Sequence, residues 1–358
     1  MTTYKESGPP KNLGSLNQRL SNVHGQQNLV LRVVRTMALV VVGQLLPEGA
    51  VKGGSAMALR YGLNARFTSD LDAARLKSQA DFREDFEERL RSGWSGFTGR
   101  LVERTASRPP GVPSAYIMKP FDVKLDYNGR PWCTVLFELG HNELGDAEEP
   151  EFHLADDIVE MFTVLGLPAP APIPVMATDH QIAQKLHACT AEKSDRARDL
   201  VDLQLLDANE ELDLSAVRAL CVRLFDYRKA HAWPPTVIGN AGWETLYEEQ
   251  AADMEVAPDV ATAIKRVNDL IARIEASEPV ERRLGEIART DAMGHRGEVA
   301  FRGASERDRD HVSRESSPRA VGRSGVRGHH PSRAARGATN RVEHPPHCPV
   351  ADRLGERV

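Results

Sequence analysis

An α+β chain is what three stretches of this sequence predict: a mixed sheet with flanking helices, followed by a C-terminal helical part and a disordered tail. Residues 50–73 read as strand, glycine turn, short helix and strand. Residues 121–139 read as a hairpin, and residues 178–276 carry apolar side chains at helical spacing.

Residues 1–14, with Gly8-Pro9-Pro10 and Gly14, read as a flexible leader. From Ser15 to Leu46, dense apolar positions such as Leu16, Leu20, Val33, Val34, Met37 and Leu45 predict one or two core-covering helices, ended by Pro47-Glu48-Gly49. Ala50-Val51-Lys52 reads as a short buried strand, Ser69 to Ala73 as the next strand and Asp81 to Leu90 as a helix. Strands are expected at Gly99 to Arg104 and Ala115 to Met118, on either side of Ser107-Arg108-Pro109-Pro110-Gly111. Phe121 to Tyr127 alternates apolar and polar side chains, Asn128-Gly129 is a tight-turn signal, and Pro131 to Leu139 returns as the second arm.

The proline-rich run Leu167 to Pro174 reads as an extended crossing into the helical part. Thr178 or Asp179 is expected to cap the next helix, whose stripe is Ile182, Leu186 and Cys189, and Asp195 to cap the one after. Residues 211–276 read as a bundle in which Trp243 and Tyr247 are core. From Gly294 onward Arg, Gly, Ser, His and Pro dominate, which predicts disorder. The expected organisation is a leader over 1–14, a sheet domain over 15–166, a helical domain over 175–285 and a tail over 290–358.

Composition excludes several classes. Four cysteines without Cys-x-x-Cys spacing argue against a disulfide scaffold or structural zinc, and a reducing cytoplasm is the expected location. The apolar run Met37 to Leu46 falls well short of the about 20 residues that a membrane span needs, so no membrane association is expected. A net charge of −5 does not mark a nucleic-acid binder, although Arg32, Arg35, Lys52, Arg60, Arg66, Arg75, Lys119 and Lys124 fall in the motif-bearing part, where a local positive face is expected.

The chemistry concentrates at Lys52-Gly53-Gly54-Ser55 and at Arg66-Phe67-Thr68-Ser69-Asp70-Leu71-Asp72. A Gly-Gly-Ser turn opening a helix can present free backbone N–H groups and a hydroxyl to phosphate. Asp70 and Asp72, two apart on a strand, point to one face. Mg²⁺, with Mn²⁺ as an alternative, takes one or two carboxylates plus nucleotide phosphates, so cradle and carboxylate pair belong together and point to nucleotidyl transfer. Glu138, flanked by Leu136, Phe137 and Leu139, is the candidate third metal ligand, since an unpaired carboxylate among apolar neighbours is costly; Asp122 and Asp126 are weaker alternatives.

These segments resemble the AbiEii/MenT-like nucleotidyltransferase toxins of bacterial toxin–antitoxin systems. The likeness lies in Lys52-Gly53-Gly54-Ser55-Ala56, Tyr61-Gly62 and Arg66 to Asp72, and in a second block, Lys185-Leu186-His187-Ala188 with Arg196-Ala197-Arg198-Asp199-Leu200-Val201-Asp202-Leu203. It covers roughly residues 28–275 and implies the nucleotidyltransferase fold. It also implies that Lys185 reaches the NTP triphosphate and that Asp199 has a part at the site, orienting Lys185 or a substrate, unless it pairs with Arg196 or Arg198 as a structural clasp. Asp202 ranks behind Asp199.

The expected site is therefore Asp70, Asp72, Lys185 and Asp199 as catalytic residues, with Asp70, Asp72 and Glu138 on the metal. Gly53, Gly54, Ser55, Arg66 and Lys185 hold the nucleotide, and His187 is not required as a base. The resemblance further implies an NTP donor, a tRNA 3′ end as acceptor, a block on aminoacylation, and a cognate antitoxin. Transfer to a small hydroxylated molecule or a protein hydroxyl, or a non-catalytic module of the same fold, are the alternatives.

Overall fold

A computed structural model of the chain describes residues 3–106 and 117–277. Two helices open it, α1 (Leu13–His24) and α2 (Gln27–Gln44). Asn12 and Ser15 close a capping box at the start of α1. Residues 3–12, read as a flexible leader, are instead tied down. The Tyr4 N–H donates to the Val164 carbonyl at 2.7 Å, Arg19 to the carbonyls of Gly8 and Leu165, and the Tyr127 hydroxyl to the Pro10 carbonyl at 2.6 Å. Turn-forming residues exclude regular structure, but their carbonyls still accept hydrogen bonds from distant side chains.

Next come β1 (Gly49–Lys52), α3 (Gly53–Tyr61), β2 (Asp70–Arg75), α4 (Gln79–Ser92), β3 (Phe97–Glu103), β4 (Lys119–Tyr127) and β5 (Arg130–Gly140). Of the strand expected at Ala115 to Met118, the first two residues lie outside the described residues and the other two are not in a strand. The β4–β5 hairpin turns at Asn128 (φ 47°) and Gly129 (φ 74°), the two left-handed positions of a type I′ turn. Three elements were not anticipated: β6 (Glu151–His153), α5 (Asp156–Thr163) and, inside the proline-rich run, β7 (Ile173–Val175). Then follow α6 (Thr178–Cys189), α7 (Ala197–Asn209), α8 (Leu214–Arg228), α9 (Trp243–Ala251) and α10 (Val260–Ala276). Residues from 290 onward, with Cys348, lie outside the described residues.

The strands form one sheet in the order β3-β4-β5-β2-β1-β7-β6. The β2–β5 and β1–β7 pairs are parallel and the others antiparallel, so the sheet is mixed as expected. The two-residue period of β2 sends Leu71 and Ala73 into a core shared with Val33 and Met37 of α2 and Phe82 and Phe86 of α4. Phe137 of β5 stacks there against Phe82 and Phe86, with ring centroids 6.3 and 5.2 Å away; each such buried ring stabilises the fold by about 1.5–3 kcal/mol. Asp70 and Asp72 consequently occupy the opposite face.

A second core joins α6 to α10 through Ile182, Leu186, Leu200, Leu203, Val217, Leu224 and Val267, with Trp243 and Tyr247 buried in it as expected. The helix α3 links the two, since Ala56 and Leu59 pack in the first core and Met57 in the second. The expected caps of α6 and α7 are not made. Ala177 and Arg196 hold the cap positions without a side-chain bond, and the Thr178 N–H donates instead to Glu151 of β6 at 3.0 Å. Cys133, Cys189 and Cys221 are buried and in no disulfide. No helix among the described residues is long and apolar enough to cross a membrane.

Candidate active site

The sheet register places Lys52 of β1, Asp72 of β2 and Glu138 of β5 side by side on adjacent strands. Cross-strand partners share a face, so an ammonium and two carboxylates form one row, with Asp70 on the same face two residues earlier. Asp72 Oδ1 is buried without a hydrogen-bond partner. Burial, followed by the charges of Asp70 and Glu138, pushes the Asp72 carboxyl up to about 7, against the pull of Lys52 and Arg196. Burial and then Asp70 also raise Glu138. Asp122 and Asp126 are engaged elsewhere, 2.9 Å from Arg104 and 4.0 Å from Arg100. Asp70 Oδ1 accepts from the Thr68 hydroxyl at 2.9 Å.

The two glycines have separate reasons to be glycine. Gly53 has φ 65°, and a side chain there would come within 2.5 Å of Asp72 Oδ2. A side chain on Gly54 would stand 2.7 Å from Arg66 Nη2. The start of α3 has no side-chain cap, so its first-turn N–H groups lie beside the carboxylate row without a side-chain acceptor.

Two expected phosphate contacts are placed differently. Ser55 is buried and its hydroxyl donates to the Asp70 carbonyl, which ties α3 to β2. Arg66 is buried in a bidentate pair with Asp202, with Nε–Oδ1 at 2.9 Å and Nη2–Oδ2 at 3.0 Å. Asp202 receives a second cation: Lys185 Nζ stands 2.6 Å from its Oδ2 and 3.3 Å from Asp199 Oδ1. Although burial opposes its charge, Lys185 and then Arg66 hold the fully buried Asp202 below the usual carboxylate range. Asp199 thus pairs with Lys185 rather than with Arg196 or Arg198. Asp202, ranked lower from sequence, is the hub.

Sheet and helices enclose a cleft of about 230 Å³, lined by Lys52, Gly53, Asp72, Met118, Glu138, Met176, Gln181, Gln184, Lys185, Ala188, Arg196, Asp199 and Arg228. Of the sequence-derived residues, Gly53, Asp72, Glu138, Lys185 and Asp199 meet there, whereas Gly54, Ser55, Arg66 and Asp70 are not part of the lining. The sequence predicts a positive face for the first part. Of its members only Lys52 lines the cleft; Arg32, Arg35, Arg60 and Arg75 donate to backbone carbonyls of Leu63, Thr134, Met176 and Gly140. The cleft's other cations, Lys185, Arg196 and Arg228, come from the helical part, and Arg228 is bound to Glu143 at 2.5 Å. His187 is buried outside this lining. Burial and then Arg228 bring its pKa down to about 4, so it is neutral at pH 7.

Sequence reasoning missed Gln181, Gln184 and Arg228. The first two carried a signal, because on a helix Gln181 shares the face of Lys185 at i−4 spacing and Gln184 stands three residues after Gln181; Arg228 carried none.

No group of three His, Cys, Asp or Glu side chains is gathered as a metal site among the described residues. Asp70, Asp72 and Glu138 are close enough for Asp70 to raise both of the others, yet they do not close into a three-ligand set as expected. A hard divalent cation still fits, because Asp72 offers a buried, unpartnered carboxylate oxygen and such ions complete their shells with phosphate and water.

Residues 39–284 match the family described as nucleotidyl transferase AbiEii toxin, type IV TA system, and the chain belongs to that family of nucleotidyltransferases. Among solved structures it is similar to MenT4, a nucleotidyltransferase toxin of Mycobacterium tuberculosis, with 19% identity over 78% of this chain and 97% of that one, and a TM-score of 0.46. A candidate nucleotidyltransferase from H. pylori has 20% identity over 68% and 93%, with a TM-score of 0.37. An antigenic nucleotidyltransferase-like protein from Paracoccidioides brasiliensis has 15% identity over 55% and 93%, with a TM-score of 0.33. No curated protein sequence matches the chain. The family assignment rests on the sequence match.

Proposed function

We propose that the protein transfers a nucleoside monophosphate from an NTP to the 3′ end of tRNA in a Mg²⁺-dependent reaction in the cytoplasm. The transfer would block aminoacylation and translation until a cognate antitoxin intervenes. One observation carries this reading: the crowded carboxylates Asp72 and Glu138 line a single cleft together with Lys185, Arg196 and Arg228. Its cations suit a polyphosphate, and its clustered carboxylates suit the metal that accompanies it. The tRNA acceptor and the antitoxin follow from family resemblance.

Asp70 and Asp72, with Glu138 beside them, would hold the Mg²⁺. Bound there, the ion would supply charge neutralisation at the phosphates and lower the pKa of an attacking hydroxyl. The free N–H groups at the start of α3 would cradle phosphate oxygens, Gly53 permitting the close approach. Lys185 is fixed by Asp199 and Asp202, so its ammonium would meet the leaving pyrophosphate without reorienting. Arg66 acts behind it by sharing Asp202, and Ser55 by anchoring Asp70. The bond from the α-phosphorus to the bridging oxygen would break, one to the acceptor oxygen would form, the acceptor hydroxyl would release its proton to solvent, and pyrophosphate would leave.

The test is incubation of purified protein with total tRNA, Mg²⁺ and each α-labelled NTP, alongside Asp70→Ala. Label on tRNA that requires Asp70 is the expected result and identifies the nucleotide. Label only on a small molecule or on protein would replace the acceptor, and no transfer from any NTP would overturn the reading.

A further inference from the structure

Gln181 is 1% exposed, and neither its amide nitrogen nor its amide oxygen has a hydrogen-bond partner. A buried primary amide left in this state costs about 1–3 kcal/mol for each unmet group, so such groups are rare unless something else engages them. Gln181 also lines the cleft. It lies on α6 four residues before Lys185, hence on the same helical face and about 6 Å along the axis. Met118 and Met176 line the same cleft. Polarisable, flexible methionines suit the face of a flat ring.

We infer that the Gln181 carboxamide binds the nucleobase of the donor nucleotide, with Met118 and Met176 packing against the base. The inference rests on the nucleotidyl-transfer reading, in which Lys185 takes the phosphates. A carboxamide presents a donor and an acceptor side by side in one plane. The edge of a nucleobase presents the complementary pair. Phosphate offers only acceptors and would leave the amide oxygen unmet; ribose hydroxyls donate and accept but do not hold the two functions in one plane, so the base edge is the part of an NTP that matches the planar amide pair. The helix spacing places that contact beside the phosphate-binding lysine rather than on it.

The test measures binding, without catalysis. Titrate the full chain with each Mg-NTP and with Mg-tripolyphosphate, which lacks the nucleoside, for wild type, Gln181→Met and Gln181→Asn. Record the melting temperature of each free protein. Gln181→Met should bind its preferred NTP about tenfold more weakly, while its tripolyphosphate affinity stays unchanged. Its melting temperature without ligand should equal or exceed that of wild type, because an unmet polar group has been removed. Gln181→Asn keeps the amide but withdraws it by one methylene, and should lose NTP affinity similarly.

Equal NTP binding by wild type and Gln181→Met would overturn the inference and leave the nucleotidyl-transfer reading standing. Equal weakening towards NTP and tripolyphosphate would overturn it in favour of a phosphate contact, and a clear fall in melting temperature would overturn it in favour of a structural role. Wild type that binds neither NTP nor tripolyphosphate would overturn both.

Discussion

Asp72 and Asp202 are the same residue type within one site, and their surroundings treat them in opposite ways. Asp72 sits on the sheet between Glu138 and Lys52 with one oxygen unpartnered, and its pKa rises to about 7. Asp202 sits on α7 between Arg66 and Lys185, with both oxygens engaged, and its pKa falls. The carboxylate row remains incomplete by itself, which suits a binding surface. The helical network is complete by itself, which suits a support that fixes the position of Lys185. A charge count would not separate the two; the partner inventory does.

The sharpest way to break this comparison is to remove each aspartate in turn. Asp72→Asn should lower nucleotide transfer by about 10³-fold, several kcal/mol of barrier, with a melting temperature equal to or above that of wild type. Steady-state transfer assays paired with thermal melts read both quantities, and an active or clearly destabilised variant would contradict the assignment.

Asp202→Ala should act the other way round. Leaving Arg66 and Lys185 buried without their shared counter-charge should cost about 3–5 kcal/mol of stability, measured by urea denaturation. A cost below about 1 kcal/mol would mean that the network is not a structural support.

A pH series sharpens the contrast. The folded pKa of Asp72, about 7, lies above its ordinary 3.8, so the native state holds an extra proton between those values. Stability from that proton is fully present below about pH 4 and is lost as pH rises through 7. Metal-free wild type should therefore lose on the order of 2 kcal/mol relative to Asp72→Asn between pH 5 and pH 8. Denaturant midpoints at each pH supply the difference, and parallel curves would remove the proposed charge crowding.

The smallest effect is expected from the glycines. Gly53→Ala forces a side chain into a left-handed conformation against Asp72, costing about 1–2 kcal/mol. Gly54→Ala crowds the Arg66 guanidinium but requires no left-handed conformation, and should cost less. If the two variants melt alike, the close approach at Gly53 is not what requires glycine there.

Much of the fold was legible because its signals are local. The Asn128-Gly129 turn, the helical stripes of α6, α8 and α10, and the strand–glycine–helix–strand order around Asp70 and Asp72 follow from periodicity and backbone freedom. The three-residue strands β6 and β7 were not legible, since so short a segment becomes a strand only through pairing. Ile173–Val175 pairs with β1 at Val51, more than a hundred residues earlier, and its prolines read as a linker. Where the cations of the first part go was not legible for a related reason: arginines near one another in sequence donate to carbonyls in different parts of the fold.

At the site, the sequence by itself determined that Asp70 and Asp72 share a face and that glycines open α3, while the family resemblance pointed to Lys185 and Asp199. Only the tertiary structure decided that Glu138 rather than Asp122 stands beside Asp72, that Arg66 is held by Asp202, and that Gln181 opens into the cleft. The physical reason is the range of the determining contacts. Backbone period and steric freedom act over a few residues, whereas strand register and ion pairing join positions that the chain brings together only when it folds.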